Sequence, residues 1–157
     1  MQKQSDFRTD LHFSSEKDDW ETPQYLFDEL NERFHFDLDA AADRKNAKTT
    51  LYYSKHVSAL ENEWNGNVFC NPPYSRGGGM YQWVKKAYEE HLRDPYRVIV
   101  LLIPARTETK YFHEFIFGKA KVEFLKGRLK FEVDGVPHRH NAPFPSVLVI
   151  YGGKKDL

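Results

Sequence analysis

One segment of this sequence, Arg97–Ile103, constrains the fold more than any other. It reads RVIVLLI and is almost continuously apolar. A strand with one face in water alternates apolar and polar residues, whereas a continuous apolar strand is typical of a sheet that is covered on both faces. The segment therefore predicts a central, fully buried strand in an α/β sheet.

The patterns on either side of this segment predict a mostly parallel sheet with an antiparallel C-terminal strand. Thr22-Pro23 indicates a helix start, with a hydroxyl N-cap and proline at the first helical position, and apolar residues follow at helical spacing to Phe34. Helices and strands alternate first, and strands then follow one another, which places the antiparallel strand at the end. Further helical patterns are predicted at 80–88 and 108–117, a helix or turn at 40–50, strands at 35–39, 68–70, 122–125, 129–133 and 146–151, and turns at 64–67 and 134–135.

Composition and charge exclude several classes of protein. The 157 residues suit one domain, predicted over 19–157 after a flexible N-terminal arm at 1–18. Lys plus Arg and Asp plus Glu each number 23, which excludes a histone-like polycation but allows a local basic face. The single cysteine, Cys70, excludes an intrachain disulfide and suits a reducing compartment. The sequence has neither an apolar run of membrane-spanning length nor a secretory signal, so we expect a cytoplasmic protein with no membrane partner.

The most informative motif is Asn71-Pro72-Pro73-Tyr74, which follows the short strand at 68–70. Ligands of open α/β sheets bind beyond the carboxyl ends of the strands. The two prolines stiffen the turn and lack N–H groups, so the Asn71 side-chain oxygen and the Pro72 carbonyl can both accept hydrogen bonds. Together they suit the two hydrogens of a planar amino group, and Tyr74 offers a flat face for stacking. A proline-rich turn with an ordinary asparagine cap is the alternative for a motif this short.

This tetrapeptide is similar to the catalytic motif of amino-group methyltransferases that use S-adenosylmethionine. The chain from Asp19 to Tyr151 resembles the phage-type DNA N6-adenine methyltransferase family, often called the phage Dam family. The resemblance implies a trimmed Rossmann-like methyltransferase fold, double-stranded DNA as substrate, and a role in a phage or its bacterial host, such as restriction–modification. The segments that carry it are DWETPQYLFDEL (19–30), FDLDAAAD (36–43), YYSKHVSALENEWNGNVFCNPPYS (52–75), VLLIPARTETKYF (100–112), FLKGRLKF (124–131) and APFPSVLVI (142–150).

The resemblance also implies which residues hold the cofactor. The segment that contains Trp20, Thr22 and Pro23 resembles the part of the family that contacts S-adenosylmethionine, with a plain helix cap as the alternative. Asp39, Ala40 and Ala41 stand where the family has its cofactor loop, and an acid there can pair with the methionine ammonium. This loop lacks the glycines of the wider methyltransferase pattern.

The acid that grips the ribose hydroxyls is harder to place. Glu61 and Glu63 are candidates, although a solvated surface charge is the better interpretation of each. The resemblance implies that Ser58 stands where relatives have an acid. Asp39 and Asn71 are 71 − 39 = 32 positions apart. This interval is too short for two helix–strand units of more than about a dozen residues each, so a trimmed sheet is expected.

The resemblance extends to residues that would contact DNA. Phe144 precedes the last strand and resembles the aromatic that stacks on the second face of a flipped base beside Tyr74, with a core phenylalanine as the equal alternative. Basic residues near predicted strand ends can form a phosphate-binding face or a solvated surface. Those favoured are Arg106, Lys126, Arg128 and Arg139.

Several alternatives remain open at this stage. An amino-group methyltransferase that acts on RNA or on protein glutamine uses a similar tetrapeptide, and a non-catalytic DNA-binding or anti-restriction module is favoured by the glycine-free loop. A dinucleotide-dependent oxidoreductase is disfavoured because no G-x-G-x-x-G occurs. The histidines have no metal-ligand spacing and one cysteine cannot form a zinc finger, so no metal is expected. A monomer is expected.

Overall fold

The computed structural model describes residues 20–55, 57–74 and 79–153. The predicted N-terminal arm at 1–18 lies outside the described residues, and the division into an arm and one domain stays a prediction. The helices are α1 (Gln24–Phe34) and α2 (Gly79–Arg93), with a 3₁₀ turn at Ala59–Glu61 and a π-helix at Phe112–Ile116. The strands are β1 (Leu38–Asp39), β2 (Leu51–Tyr52), β3 (Val68–Cys70), β4 (Val98–Pro104), β5 (Lys121–Phe124), β6 (Glu132–Val133), β7 (Val136–Pro137) and β8 (Ser146–Gly152).

Over the described residues, the main sheet has six strands in the order β2-β1-β3-β4-β8-β5. Strands β2, β1, β3 and β4 pair in parallel, and β8 is antiparallel to both of its neighbours, β4 and β5. This confirms the predicted mostly parallel sheet with an antiparallel C-terminal strand. The carboxyl ends of β1, β3 and β4 therefore lie at one edge of the sheet.

The central strand β4 is buried on both faces, as its apolar run predicts. Val100 and Leu102 pack with α1, whereas Ile99, Leu101 and Ile103 pack with α2 on the opposite face. All five side chains are fully buried. Burial of an aliphatic side chain contributes about 1.5–3 kcal/mol, so this strand anchors both layers of the core.

The first helix begins differently from the prediction. Pro23 is the N-cap and makes no side-chain capping bond, so the predicted Thr22 cap is wrong. The backbone N–H of Gln24 instead donates to the Glu132 carboxylate at 3.1 Å. Glu132 reaches the helix because its backbone pairs with Glu21 in an antiparallel bridge, so the cap comes from a distant strand. The Thr22 hydroxyl is thus left for another partner.

The interval between Asp39 and Asn71 confirms the trimmed sheet. Between Asp39 and the start of β3, its described residues contain one strand, β2, and one 3₁₀ turn, with no α-helix. Residues 40–50 form bends and turns, in which the Asp43 carboxylate accepts hydrogen bonds from the N–H groups of Lys45 and Asn46. The helical alternative for 40–50 is therefore wrong because the side chain of Asp43 closes a local turn.

The C-terminal half differs from the prediction in two places. The helical pattern at 108–117 forms a π-helix over Phe112–Ile116, with the Phe117 N–H donating to the Phe112 carbonyl at 2.8 Å. The predicted strand at 129–133 pairs only over Glu132–Val133, in a separate hairpin with β7. Its turn is the predicted Asp134-Gly135, where φ is +55° and +77°. Positive φ at both positions is typical of a type I′ hairpin turn.

Gly152 is a position where only glycine fits. Its φ is +74°, and a Cβ atom there would lie 2.2 Å from the Arg97 carbonyl oxygen. We expect Gly152→Ala to lower the free energy of unfolding by about 2 kcal/mol, from backbone strain plus the clash. Gly118→Ala is the matched control because φ is +80° but no atom lies within 4 Å of the added Cβ. Urea unfolding measures the loss of unfolding free energy in each variant, and the difference between the two losses isolates the contribution of the clash. Equal losses in the two variants would contradict the prediction.

Candidate functional site

The strand order creates a crevice at the carboxyl edge of the sheet. The chain passes from β1 outward to β2 and then returns to the other side of β1 as β3, so the strand order reverses between β1 and β3. Ligands of open α/β sheets bind at such a reversal. A cleft of about 640 Å³ lies there, and its walls include Ala40–Asp43, Asn46, Tyr53–Lys55, Ser58, Ala59, Asn71, Pro73 and Trp83.

The Asn71 side chain has a defined orientation in this crevice. Its Nδ2 atom donates to the Trp20 carbonyl oxygen at 2.7 Å and to Thr22 Oγ1 at 3.1 Å. A carbonyl oxygen can only accept, so the nitrogen of the amide and not its oxygen must face Trp20. The amide oxygen is consequently turned away from both partners.

This orientation leaves Asn71 Oδ1 as an open acceptor. Within the described part of the chain, Oδ1 is buried and has no hydrogen-bond partner. A buried carbonyl without a partner costs about 1–3 kcal/mol, which a bound N–H donor would recover. The next residues, Pro72 and Pro73, contribute no N–H that could compete for the same acceptor. The turn is thus arranged to receive a donor.

Tyr74 lies in an aromatic cluster beside this turn. Its hydroxyl donates to the Leu102 carbonyl at 2.8 Å, and burial raises the pKa of that hydroxyl well above its usual value. Its ring meets Phe144 edge-to-face at 5.6 Å and Phe131 at 6.1 Å. A base between two parallel rings needs about 7 Å, twice the contact distance of about 3.5 Å. In this arrangement a base would stack on an open face of the pair or separate the rings.

Asp39 is a buried carboxylate on the other side of the crevice. It ends β1 and is only 3% exposed, with its oxygens accepting from the N–H groups of Ala41 at 3.3 Å and Lys48 at 3.0 Å. Burial raises the pKa of Asp39 to about 6, although these hydrogen bonds oppose the shift. A cation that reached this carboxylate would relieve the cost of burying its charge.

Most of the residues predicted to hold a cofactor line one of two adjoining spaces. A small pocket of about 40 Å³ joins Trp20, Thr22, Asp39 and Ala41 to Asn71, and Ala40 lines the larger cleft. Pro23 is buried but lines neither space. The Trp20 ring packs edge-to-face on Phe131 at 5.4 Å, so it is a core side chain whose backbone carbonyl contacts Asn71.

The crevice also contains residues that the sequence analysis missed. Tyr53 directly follows β2, and Trp83 lies on the predicted amphipathic helix. The sequence pattern indicated where both residues lie along the chain, but not that their side chains face the cleft. Glu61 and Glu63 are exposed and do not line the cleft, while Ser58 lines it and caps the 3₁₀ turn through its hydroxyl. The carboxylate that does line the larger cleft is Asp43.

Two of the four predicted basic residues follow strands that end at this edge. Arg106 lies two residues after β4, and Lys126 lies two residues after β5, which is parallel to β4 because both are antiparallel to β8. Arg128 follows Lys126 in the same loop. Arg139 lies three residues before Ala142, whose N–H donates to the carbonyl of Leu129, the residue after Arg128, at 2.7 Å. All four side chains are exposed. Arg106 pairs with Glu108 at 2.6 Å, and because both side chains are exposed, solvent and salt screen this pair.

Three further observations concern Cys70, metal binding and membrane spans. Cys70 is fully buried in β3, and burial raises the pKa of its thiol well above the usual value, which favours the unreactive form. In the three described ranges, no group of three histidine, cysteine, aspartate or glutamate side chains could hold a metal ion. In those same ranges, the helices are all too short or too polar to cross a membrane.

Comparison with known proteins gives one consistent result. The family model described as DNA N-6-adenine-methyltransferase (Dam) matches residues 10–155. A DNA N-6-adenine-methyltransferase of Escherichia phage T1 is 34% identical over 122 residues, which are 76% of this chain and 49% of that protein. One of Haemophilus phage HP1, with the same description, is 30% identical over 114 residues, which are 71% of this chain and 64% of that protein. The chain thus spans about half to two thirds of the length of these relatives.

Proposed function

Because this chain belongs to the Dam family of DNA N-6-adenine-methyltransferases, we propose that it transfers a methyl group from S-adenosylmethionine to N6 of adenine in double-stranded DNA. The observation that carries the proposal is the buried, unpartnered Oδ1 of Asn71, fixed as an acceptor at the strand-order reversal. The sheet order and the antiparallel β8 support a trimmed Rossmann-like methyltransferase fold.

The residues of the crevice fit the proposed cofactor. When bound, S-adenosylmethionine would supply a methyl group on a sulfonium, and the neutral thioether that remains after transfer is a good leaving group. Asp39 would pair with its ammonium, since a buried carboxylate with a raised pKa gains most from a nearby cation. Ala41 lines both spaces and would lie beside the methionine part, and the larger cleft would hold the adenosine between Tyr53 and Trp83.

The reaction itself requires Asn71 and Pro72 to orient the target amino group. Asn71 Oδ1 and the Pro72 carbonyl would each accept one N–H of the adenine N6, which aims the nitrogen lone pair at the methyl group. As positive charge develops on the nitrogen, two preoriented carbonyl dipoles stabilise it, and the methylated amino group then loses one proton to solvent. Most of the rate enhancement then comes from position and electrostatics, and no covalent bond to the protein is needed.

Adenine must leave the DNA stack to reach this turn, at a cost of a few kcal/mol. Tyr74 and Phe144 would offset part of that cost by contact with the extruded base. The centroids of their rings are 5.6 Å apart and the rings meet edge-to-face, which leaves no room for a base between them. The base would therefore stack on one ring face or displace Phe144. The Tyr74 hydroxyl is tied to the Leu102 carbonyl, so Phe144 is the ring expected to move.

The four exposed basic residues Arg106, Lys126, Arg128 and Arg139 would bind the phosphate backbone of DNA. We expect Arg128→Gln to weaken DNA binding severalfold irrespective of sequence, and to lower the slope of log K against log salt by about 1. Lys85→Gln is the control because Lys85 is an exposed cation on α2 that pairs with Glu89. Fluorescence titrations of a labelled duplex between 50 and 200 mM salt measure both values. Equal slopes for the two variants would contradict the assignment of Arg128.

The proposed function is tested by expression in a host without adenine methylation. Nucleosides from the host DNA should then contain N6-methyldeoxyadenosine, and nucleosides from cells that carry the Asn71→Ala variant should not. Methylcytosine in place of methyladenine would retain the fold and overturn the substrate.

A further inference from the structure

Thr22 has an unexpected partner for a residue at the start of a helix. Its side chain is 3% exposed, it does not cap α1, and its Oγ1 accepts from Asn71 Nδ2 at 3.1 Å. We propose that Thr22 is a positioning residue, which holds the Asn71 amide so that its oxygen faces the target amino group. This inference rests on the proposed role of Asn71 as that acceptor.

The geometry of an amide explains why a second partner matters. The planar –NH₂ group has two N–H bonds that point in different directions in one plane. The Trp20 carbonyl receives one and the Thr22 hydroxyl receives the other. A single hydrogen bond would orient the amide nitrogen toward its acceptor, but the amide plane could still rotate about that bond. Two bonds on the same nitrogen fix the plane, and with it the direction of Oδ1.

The backbone around Thr22 is itself held in place. Glu21 pairs with Glu132 through two backbone hydrogen bonds of 3.0 and 2.9 Å. The Glu21 carboxylate also accepts from the N–H groups of Asp134 and Gly135, both at 3.0 Å. The helix begins two residues after Thr22, at Gln24. Thr22 is thus clamped between a strand bridge and a helix, which is the rigid support that a positioning residue needs.

This role differs from the cofactor contact implied by the family resemblance, and the two roles make different predictions. A cofactor ligand affects the affinity for S-adenosylmethionine. A positioning residue for Asn71 affects the methyl-transfer step, because Oδ1 contacts the target amino group and not the cofactor. Thr22→Val separates them, since it keeps the branched shape of threonine and removes the hydroxyl. Thr22→Ser restores the hydroxyl, and Thr50→Val, on an exposed threonine before β2, is the control.

The experiment has two readouts. The first is kcat for methyl transfer to duplex DNA, with the Kd for S-adenosylmethionine measured by calorimetry. We expect Thr22→Val to lower kcat about tenfold with Kd unchanged within twofold, and Thr22→Ser to recover most of the loss. The control variant should match the wild type in both. A raised Kd with unchanged kcat would overturn the inference and return Thr22 to the cofactor.

The second readout does not depend on catalysis. Protein labelled with ¹⁵N-asparagine gives side-chain amide signals, and the Asn71 pair is identified by its absence from the Asn71→Ala variant. Thr22→Val should shift one Asn71 proton upfield and speed its exchange with solvent, with no change in Thr50→Val. Unaltered Asn71 signals in Thr22→Val would overturn the inference. If the wild-type protein transferred no methyl group, the proposed function would fail while these signals still decided the role of Thr22.

Discussion

Asn71→Ala is expected to reduce methyl transfer about 1,000-fold while the affinity for S-adenosylmethionine stays within about twofold of wild type. The variant removes Oδ1, the buried acceptor that has no partner among the described residues, and so removes one of two dipoles proposed to face the target nitrogen. Loss of a single preorganised group of this kind typically lowers kcat by about 10²–10³. Cofactor affinity should persist because the proposed partner of the cofactor's ammonium is Asp39, at the end of a different strand.

The measurement is single-turnover transfer at saturating cofactor, with calorimetric titration of S-adenosylmethionine on the same protein. Asn65→Ala is the matched control, since Asn65 is an exposed asparagine in the turn before β3, away from the carboxyl edge. That variant should retain wild-type kcat and Kd. A parallel loss of cofactor affinity in Asn71→Ala would contradict the division of roles between Asn71 and Asp39.

Asp39→Asn is expected to weaken the binding of S-adenosylmethionine about 100-fold at pH 7.5. Removing one partner of a buried charge pair costs about 2–5 kcal/mol, because the other charge stays buried without compensation. Asparagine keeps the size of the side chain and can still accept from the Lys48 N–H, so the fold of the turn should survive. The kcat at saturating cofactor should change far less than Kd.

The same carboxylate predicts how cofactor binding depends on pH. Burial raises the pKa of Asp39 to about 6, so the free protein takes up a proton there as the pH falls below that value. The protonated acid cannot pair with an ammonium, and affinity should fall about tenfold per pH unit below about 6 and be constant above it. Calorimetric titrations between pH 5 and 8 measure this. Asp39→Asn should show no such dependence, and a wild-type curve equally flat would contradict the role of Asp39.

The sequence predicted the parts of the fold that depend on local pattern. The apolar run at Arg97–Ile103 predicted a strand buried on both faces, and Asp134-Gly135 predicted the hairpin turn, since both signals act within a few residues. The short interval between Asp39 and Asn71 predicted the trimmed sheet because chain length alone limits what can fold there. The helical alternative at 40–50 was wrong because the Asp43 side chain closes a turn that no periodicity reveals.

The candidate site was predicted where strand ends determine it and missed where distant contacts do. Asp39 and Asn71 line the same small pocket because β1 and β3 pair in parallel and each residue stands at or just beyond a carboxyl end. Thr22 was predicted as a helix cap, but its side chain bonds to Asn71, 49 positions away. The first N–H of the helix, that of Gln24, bonds instead to the carboxylate of Glu132, 108 positions away. Tyr53 and Trp83 were missed because their orientation toward the cleft depends on how β2 and α2 pack around it.

Incubation of the purified protein with labelled S-adenosylmethionine and unmethylated duplex DNA is the decisive assay of the proposed function, because it follows the methyl group itself. The DNA is then hydrolysed and its bases are separated. The proposed function predicts label in N6-methyladenine, none in cytosine, and loss of that label with Asn71→Ala. Label in cytosine, or no transfer by a protein that binds the cofactor, would contradict it.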